Sequence, residues 1–410
     1  MSLPDCRFCQ KPLKNVFVDL GMTPLSNSYL SSEMLYQMEP YYPLKAFVCD
    51  NCYLVQLQEF ETPEQIFRDY SYFSSYSKSW LEHSKKYADE SVKRHSLNKN
   101  NLVMELACND GYLLQYFQKH GIPVLGIEPA KNVAIEAEKI GIPVITEFFG
   151  TKLAWSLTEQ GKKPDLLVAN NVLAHVPDLN DFVRGIKIIL NTNGTATFEF
   201  PHIYRLLEHK QFDTIYHEHF SYFSFLTVTE VFKRHGLMVY DVDELQTHGG
   251  SIRVYVTHQE SPKPITQKVT ELIQREKNEG FGTLEKYLSF QRSADIIRWN
   301  TLSFLIDAAN KGKKVLGYGA PAKCNTFFNF CGIRRDLVPF TTDISPHKQG
   351  LYLPGSHIPI HSPEVILSEK PDYLFILPWN IKDEIISQMS AIRQWGGKFV
   401  IAIPELKIID

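Results

Sequence analysis

The chain has 410 residues, of which 44% are hydrophobic and 22% are charged, and its formal net charge is −3. This length predicts two or three domains, and the composition is that of an ordinary soluble globular protein. The small negative charge argues against nucleic acid or an anionic membrane as a partner, and no apolar run approaches the ~20 residues of a membrane span. The N-terminus lacks the basic and apolar regions of a secretion signal, so we expect a cytoplasmic protein.

Four of the seven cysteines form two C-x-x-C pairs near the N-terminus, Cys6 with Cys9 and Cys49 with Cys52. Four thiolates complete a tetrahedral zinc shell with no open coordination position, so the expected zinc is structural. The gap between the pairs is longer than the ~15–20 residues of the common pattern, which indicates an insertion. The alternative interpretation is two unrelated pairs of buried free cysteines.

A stretch rich in aromatic and hydroxyl side chains, from Tyr70 to Trp80, precedes a polar helix predicted over about 79–95. It is either an aromatic hinge between domains or a polar wall of a substrate site, and spacing alone does not separate the two.

From about 100 to 245 the sequence alternates between apolar strands and helical patterns. Strands are predicted at 102–107, 124–127, 143–146, 165–169 and 195–200, and helices at 112–120, 131–139, 151–160 and 180–190. This alternation predicts a doubly wound parallel sheet, in which ligands bind beyond the carboxyl ends of the strands.

The first of these strands contains Glu105 and breaks at Asn109-Asp110-Gly111, where a helix opens. The next strand ends at Glu128, and an acid about 20 residues further on binds ribose hydroxyls in nucleotide-binding folds. The turn is not G-x-G-x-x-G, so a dinucleotide is not favoured. The two strands and Glu128 together resemble the S-adenosylmethionine site of class I methyltransferases.

Two further segments carry groups that titrate near neutral pH. The fourth strand ends at Asn170-Asn171, and His175 in the following loop is either solvated or faces the ligand crevice. The densest cluster, Tyr216-His217-Glu218-His219, lies among aromatic residues that should bury it. The zincin pattern H-E-x-x-H fails there because position 221 is Ser, and no third ligand accompanies the two histidines.

His248, before two glycines, either approaches a ligand or makes a turn. Residues from about 260 to 312 are charged and long enough for two helices that link domains. The last hundred residues restart an α/β pattern, with a glycine turn at 317–323 and strands predicted at 338–342, 373–377 and 398–403. The turn together with Lys323 would suit a phosphate.

The whole chain resembles the three-part, zinc-containing sugar C-methyltransferases that act on nucleotide-linked keto-deoxysugars. The resemblance rests on the four cysteines, the stretch that begins at Tyr70, and the segments 105–111, 216–219 and 317–323, in that order along the chain. Cys324 departs from the glycine expected after Lys323. The resemblance implies a zinc domain at 1–68, an S-adenosylmethionine-binding catalytic domain with a doubly wound α/β sheet at 69–260, and a smaller Rossmann-like α/β domain at 261–410 that binds the nucleotide sugar.

The implied reaction adds a methyl group through a base-generated enolate, at C-3 rather than C-5, to a sugar carried by dTDP. His219 is the expected base, with Tyr216 as the alternative, and Glu218 orients the base or contacts the sugar. Tyr216 and His175 would polarise the keto oxygen, and Tyr70 would line the sugar pocket. The expected donor-binding residues are Glu105, Asn109, Asp110, Gly111, Glu128, Asn170 and Asn171, and the expected substrate-binding residues are Tyr72, His248, Gly319 and Lys323.

Three other interpretations compete. A nucleic-acid methyltransferase with a zinc recognition module conflicts with the acidic charge balance. An NAD-dependent nucleotide-sugar oxidoreductase lacks a complete dinucleotide fingerprint. An inactive zinc scaffold would leave the cluster at 216–219 without a role. The oligomeric state has no sequence signal, and a monomer is the default expectation.

Overall fold

The computed structural model describes residues 4–62 and 73–410, so the expectations for Tyr70 and Tyr72 lie outside the described residues. The described strands are β1 (Asn15–Thr23), β2 (Tyr42–Val48), β3 (Val55–Leu57), β4 (Val103–Leu106), β5 (Val124–Ile127), β6 (Val144–Ile145), β7 (Leu166–Asn170), β8 (Thr195–Pro201), β9 (Ser221–Tyr222), β10 (Leu237–Leu245), β11 (Ser251–His258), β12 (Val315–Tyr318), β13 (Thr341–Thr342), β14 (Ile360–His361), β15 (Tyr373–Ile376), β16 (Lys398–Ile401) and β17 (Lys407–Ile409).

The helices are α1 (Lys78–Arg94), α2 (Leu114–Lys119), α3 (Lys131–Lys139), α4 (Thr151–Glu159), α5 (Leu179–Ile189), α6 (Ile203–Glu208), α7 (Phe225–Arg234), α8 (Gln267–Asn278), α9 (Glu285–Leu288), α10 (Phe290–Asn310), α11 (Ala322–Cys331), α12 (Val365–Glu369) and α13 (Lys382–Gln388). Side-chain oxygens cap several of their N-termini; Ser77, Asp178 and Ser224 cap α1, α5 and α7.

The central sheet has the order β10-β11-β8-β7-β4-β5-β6, and β11 runs antiparallel to both of its neighbours while the others are parallel. Every residue of β4, β5 and β7 is buried. Continuous apolar strands of this kind are covered by helices on both faces of a parallel sheet. The predicted doubly wound α/β fold is therefore confirmed, and the predicted strands differ from the observed ones by one or two residues.

The N-terminal sheet is antiparallel and has the order β1-β2-β3-β9. Its fourth strand, β9, comes from the segment that directly follows the cluster at 216–219. The buried hydrophobic residues of the N-terminal part belong to two larger clusters. Phe8 and Leu54 pack in a cluster with residues of the central sheet, and Phe17 and Leu44 pack in a cluster with residues of the C-terminal part. Within its described residues, the zinc-binding part consequently has no hydrophobic core of its own.

The C-terminal sheet has the order β14-β13-β12-β15-β16-β17, parallel except for β17. The strand predicted at 338–342 was wrong in length, because only Thr341 and Thr342 pair; Pro339 has no N–H to donate to a ladder. The linker holds three described helices rather than the expected two. Gly280, in the left-handed region with φ +85, lies between α8 and α9, and Ser289 alone separates α9 from α10.

Candidate active site

A cavity of about 590 Å³ lies at the carboxyl ends of β4, β5, β7 and β8. All three parts of the chain line it, including Asn27 and Tyr29 from the N-terminal part and Lys348 from the C-terminal part. The sequence-predicted residues on its wall are Asn109, Glu128, Asn170, Asn171, His175, Tyr216, Glu218, His219, His248 and Lys323. The topology therefore gathers residues that are more than 200 positions apart into one site.

The turn after β4 has a backbone that L-residues rarely adopt. Ala107 and Asn109 lie in the left-handed region, with φ 51 and 49, and Gly111 has φ 79. Glu128 holds the turn in place, because its carboxylate accepts hydrogen bonds of 2.9 Å from the N–H groups of Asn109 and Ala130. Burial raises the pKa of Glu128. Its carboxylate thus lies at the cavity and beside the turn, as a ribose-binding acid would.

Three of the residues that were predicted to bind the methyl donor lie behind the cavity wall. Glu105 is fully buried next to Tyr112, and desolvation raises its pKa well above the usual value. Asp110 accepts a hydrogen bond from the Ser75 N–H at 3.1 Å, so it fastens the residues before α1 to the turn. Gly111 packs against Ala137 of α3 and against Ile140 and Ile142, which follow that helix. These three residues shape the turn rather than face the cavity.

The amide oxygens of Asn170 and Asn171 are buried, and no hydrogen bond to them is found within the described ranges. Asn171 Nδ2 lies 3.3 Å from His248 Nε2. Buried acceptors with no partner in the protein are satisfied by a ligand or water. With the Glu128 carboxylate these amide oxygens form a set of hydrogen-bond acceptors that fits S-adenosylmethionine, whose amino and hydroxyl groups are donors.

Tyr216 and His219 form a hydrogen-bonded pair on the cavity wall. His219 Nδ1 lies 3.0 Å from the carbonyl oxygen of Thr214, so Nδ1 carries the proton. The Tyr216 hydroxyl then donates to His219 Nε2 at 2.7 Å. Burial, and next the nearby His175, lower the pKa of His219 well below 6.5. His219 is therefore neutral, with Nε2 as the proton-accepting nitrogen.

His175 and Glu218 complete this side of the cavity. The His175 ring lies 4.7 Å from the His219 ring between centroids, edge to face, and burial lowers its pKa to about 4. Burial raises the pKa of Glu218 to about 7, although Asn27 Nδ2 donates to its carboxylate at 2.7 Å. Asn27 was not predicted from the sequence, because a single Asn in an N-terminal loop carries no signal of a contact 191 residues away.

His217 points away from the cavity. Its Nε2 lies 3.3 Å from the carbonyl oxygen of Pro43, and its ring contacts those of Tyr42 and Phe60 in the N-terminal part. The side chains of residues 217 and 219 face opposite ways because the chain turns at 217–218, where the His219 N–H donates to the Tyr216 carbonyl at 2.9 Å.

A buried cluster that the sequence analysis missed supports His248. Glu199 accepts hydrogen bonds from His83 Nε2 and Thr247 Oγ1, both at 2.9 Å, and pairs with Arg253. The pKa of Glu199 is about 2; burial alone would raise it, but the hydrogen bond from His83 and the charge of Arg253 lower it. This cluster fixes the turn at 247–249, in which His248 has φ 53.

Lysines mark the C-terminal side of the cavity. Lys323 donates to Asn380 at 2.8 Å and lies over the Trp379 ring, and Lys348 donates to the Ala320 carbonyl at 2.9 Å. Gly319 is not on the cavity wall; it has φ 94, and a Cβ there would lie 2.4 Å from Pro378. Lys348 was not predicted, because its loop is far from the glycine turn in sequence.

The four cysteine Sγ atoms lie within 4.8 Å of one another, with Cys6–Cys52 at 3.6 Å and Cys9–Cys49 at 3.5 Å. Tetrahedral zinc with bonds of ~2.3 Å places its sulfurs about 3.8 Å apart, so the cluster fits this metal. Gln56 Nε2 donates to Cys6 Sγ at 3.2 Å, and hydrogen bonds of this kind orient the ligands of a metal. In the described ranges this is the one group of three or more potential ligands close enough to bind a metal.

Models of three protein families match the chain. A zinc binding domain matches residues 6–67, a methyltransferase domain matches residues 80–242, and a C-methyltransferase C-terminal domain matches residues 246–404. The C-methyltransferase NovU of Streptomyces niveus is 33% identical over 408 residues, which cover 100% of this chain and 97% of NovU.

Solved structures are similar at a lower level. An S-adenosylmethionine-dependent methyltransferase from Clostridium acetobutylicum has 11% identity and a TM-score of 0.35, over 43% of this chain and 92% of that chain. Magnesium protoporphyrin IX methyltransferase from Synechocystis has 13% identity and a TM-score of 0.33, over 48% of this chain and 88% of that chain. Among the described residues, no helix combines the length and apolar character needed to cross a bilayer.

Proposed function

This chain belongs to the C-methyltransferase family, and on that premise we propose that it methylates C-3 of a dTDP-linked keto-deoxysugar. The family and the cofactor follow from the comparisons, whereas the identity of the sugar and the position of the methylated carbon are what we propose. In it, residues 1–68 bind zinc, 69–260 bind the methyl donor and 261–410 bind the nucleotide.

The observation that carries the proposal is the neutral histidine on the cavity wall. Methylation at carbon requires loss of a proton from a carbon next to a ketone, and the base must lie within hydrogen-bond reach of that proton. His219 Nε2 is an acceptor whose tautomer is fixed by the Thr214 carbonyl. When the Tyr216 hydroxyl turns from Nε2 to the keto oxygen, Nε2 becomes available to the C–H proton.

Charge then develops on the sugar oxygen, and donors around that position stabilise it. The Tyr216 hydroxyl and the His175 ring are the nearest candidates, because both lie against His219. Glu218, held by Asn27, contacts the sugar hydroxyls or orients the base. Bound S-adenosylmethionine supplies an electrophilic methyl group, and Glu128, Asn170 and Asn171 are the residues that would hold it.

Two lysines support a diphosphate-bearing substrate. Lys323 and Lys348 both line the cavity and come from the C-terminal part of the chain. Ammonium groups bind phosphate as point charges, so they suit the diphosphate of a nucleotide sugar. The cavity volume of about 590 Å³ lies within the range of about 300–1,000 Å³ that small-molecule pockets span.

The test is incubation with S-adenosylmethionine and a panel of dTDP-4-keto deoxysugars, in which C-3 and C-5 both adjoin the ketone, followed by mass spectrometry and NMR of the product. We expect one added methyl group on carbon at C-3. Without methyl donor, solvent deuterium should exchange into the carbon next to the ketone. A product methylated at C-5 would correct the position, and absence of both exchange and product over the panel would contradict the substrate class.

A further inference from the structure

The loops that carry His175 and His219 share one contact with the zinc site. Arg7 lies between the two cysteines of the first C-x-x-C pair. Its Nη1 donates a hydrogen bond of 2.9 Å to the carbonyl of Pro177, two residues after His175. Its Nη2 donates to the carbonyl of Leu57, at the end of β3.

The same guanidinium covers the residue that follows His219. Arg7 Cζ lies 5.2 Å from the ring centroid of Phe220. The Leu57 N–H donates to the Phe220 carbonyl at 3.0 Å, and Gln56 pairs with Ser221 where β3 meets β9. Arg7 and the edge of β3 therefore hold the backbone directly after His219.

Arg7 is itself fixed by the metal-binding segment. The backbone N–H of Arg7 donates to Gln56 Oε1 at 2.9 Å, and Gln56 Nε2 donates to Cys6 Sγ. Asn180 Nδ2 donates to the carbonyls of Arg7 and Phe8, both at 3.0 Å. A guanidinium presents its donors in a rigid planar fork. The position of the Arg7 backbone therefore sets where the carbonyls of Pro177 and Leu57 must lie.

We propose that Arg7 is a positioning residue that transmits the geometry of the zinc site to the His175 and His219 loops. The bound metal then fixes the spacing of the two histidines, whose rings are 4.7 Å apart, although it lies outside the cavity. The part of this inference that concerns catalysis rests on the proposed function; the coupling between the segments does not.

The experiment compares Arg7→Gln and Arg7→Lys with wild type and with Arg234→Gln, all as zinc-loaded full-length protein. Arg234, at the end of α7, is a matched control. Its Cζ lies 5.4 Å from the ring centroid of Phe8, the residue after Arg7, and it makes none of the hydrogen bonds by which Arg7 reaches the two histidine loops. Hydrogen exchange of segments 172–177 and 214–222 is measured by mass spectrometry, together with zinc content, kcat and KM.

We expect Arg7→Gln to retain one zinc per chain, to exchange faster in both segments and to lose about 10- to 100-fold in kcat with KM for the methyl donor unchanged. Arg7→Lys should fall between, because an ammonium keeps the charge over Phe220 but cannot reach both carbonyls. Arg234→Gln should match wild type in exchange and in kcat.

Unchanged exchange in both segments of zinc-loaded Arg7→Gln would overturn the proposal. Faster exchange over the whole chain would overturn it too, since that pattern reports a general loss of stability. If Arg7→Gln does not fold, the same measurements on Arg7→Lys decide between these results. Exchange needs no sugar, so an error in the proposed substrate would leave the exchange result intact, and the two failures are distinguishable.

Discussion

A single backbone carbonyl sets the chemistry of His219. Because the Thr214 oxygen needs a donor, Nδ1 is protonated and Nε2 is left to accept from Tyr216. Burial keeps the ring neutral at physiological pH. In the proposed reaction, the same pair supplies an acceptor for the carbon-bound proton and a phenol that donates to the oxygen anion.

We predict that His219→Asn loses about 10²- to 10⁴-fold in kcat, because a positioned general base contributes that much. Binding of S-adenosylmethionine, measured by calorimetry, should be within a few-fold of wild type. His217→Asn is the neighbouring control; its side chain faces Pro43, so kcat should fall far less. Near-normal kcat in His219→Asn would move the role of base to Tyr216.

Two buried carboxylates, Glu218 and Glu199, are shifted in opposite directions. Glu218 has one amide donor, so burial dominates and its pKa rises to about 7. Glu199 has an arginine and a histidine beside it, and its pKa falls to about 2. The number of charged partners, rather than the depth of burial, decides the direction.

We predict that Glu218→Gln raises Tm relative to wild type, and by more at pH 8 than at pH 5. The folded state holds the Glu218 proton more tightly than the unfolded chain, so stability falls as pH rises from about 4.5 to about 7, by about 3 kcal/mol. Glutamine avoids this loss. Glu199→Gln should lower Tm at pH 8, because the Glu199 carboxylate is stabilised in the folded state. Equal Tm changes for Glu218→Gln at both pH values would contradict the assignment.

The sequence identified titratable groups but not their partners. Tyr216, Glu218 and His219 were found because reactive side chains are dense in one short segment. Asn27 and Lys348 were missed, since each approaches the cavity from a distant part of the chain and is an ordinary residue in its own segment. His175 was left open between two interpretations; the structure puts it on the cavity wall, with its ring against that of His219.

At the scale of elements, β5 packs tightly against the turn between β4 and α2. Gly126 in β5 faces Cys108 of that turn, and a Cβ at position 126 would lie 2.3 Å from the Cys108 Sγ. Real Cβ atoms do not approach a sulfur so closely, so the turn would have to move. Its left-handed residues leave few backbone alternatives.

We therefore predict that Gly126→Ala lowers stability by about 1–3 kcal/mol and weakens S-adenosylmethionine binding several-fold. Thermal melts and calorimetry measure the two effects. The double variant Gly126→Ala/Cys108→Ala should recover part of both, because it removes the sulfur that the new methyl group meets. Wild-type affinity in the single variant would show that the turn yields without cost.

Strands with a continuous apolar run, such as β4, β5 and β7, were predicted to within two residues because periodicity is a local property. Strand β9 was not predicted. It has two residues, and its partner β3 lies more than 160 positions away, so no local pattern marks it. Likewise, the length of β13 is set by its pairing with β12 and β14, and the strand propensity of its own residues does not predict that pairing.

At the scale of the whole molecule, the zinc-binding part forms one wall of the cavity. Its loop at 24–30 supplies Asn27 to Glu218, and Tyr29 donates to the carbonyl of Ala320 in the C-terminal part. Asn325 Nδ2 in turn donates to the Ser26 carbonyl. The three parts meet around the cavity, and the sequence resemblance gave their order but not these contacts.

We predict that Cys6→Ser loses the zinc and lowers Tm, because a structural metal contributes directly to folding free energy. Zinc content by elemental analysis and Tm by calorimetry test this. Cys331→Ala is the control: Cys331 is buried in α11, away from the cluster, and the variant should keep one zinc per chain. A metal-free Cys6→Ser protein with wild-type Tm would contradict a structural role.

The origin of β9 has a consequence for synthesis on the ribosome. The N-terminal sheet cannot acquire its last strand until residue 222 has left the exit tunnel, about 165 residues after Leu57. At about 5–20 residues per second the nascent chain waits roughly 10–30 s with the β3 edge unpaired. During that interval an open strand edge is prone to join another polypeptide, so molecular chaperones have most to protect at this early stage.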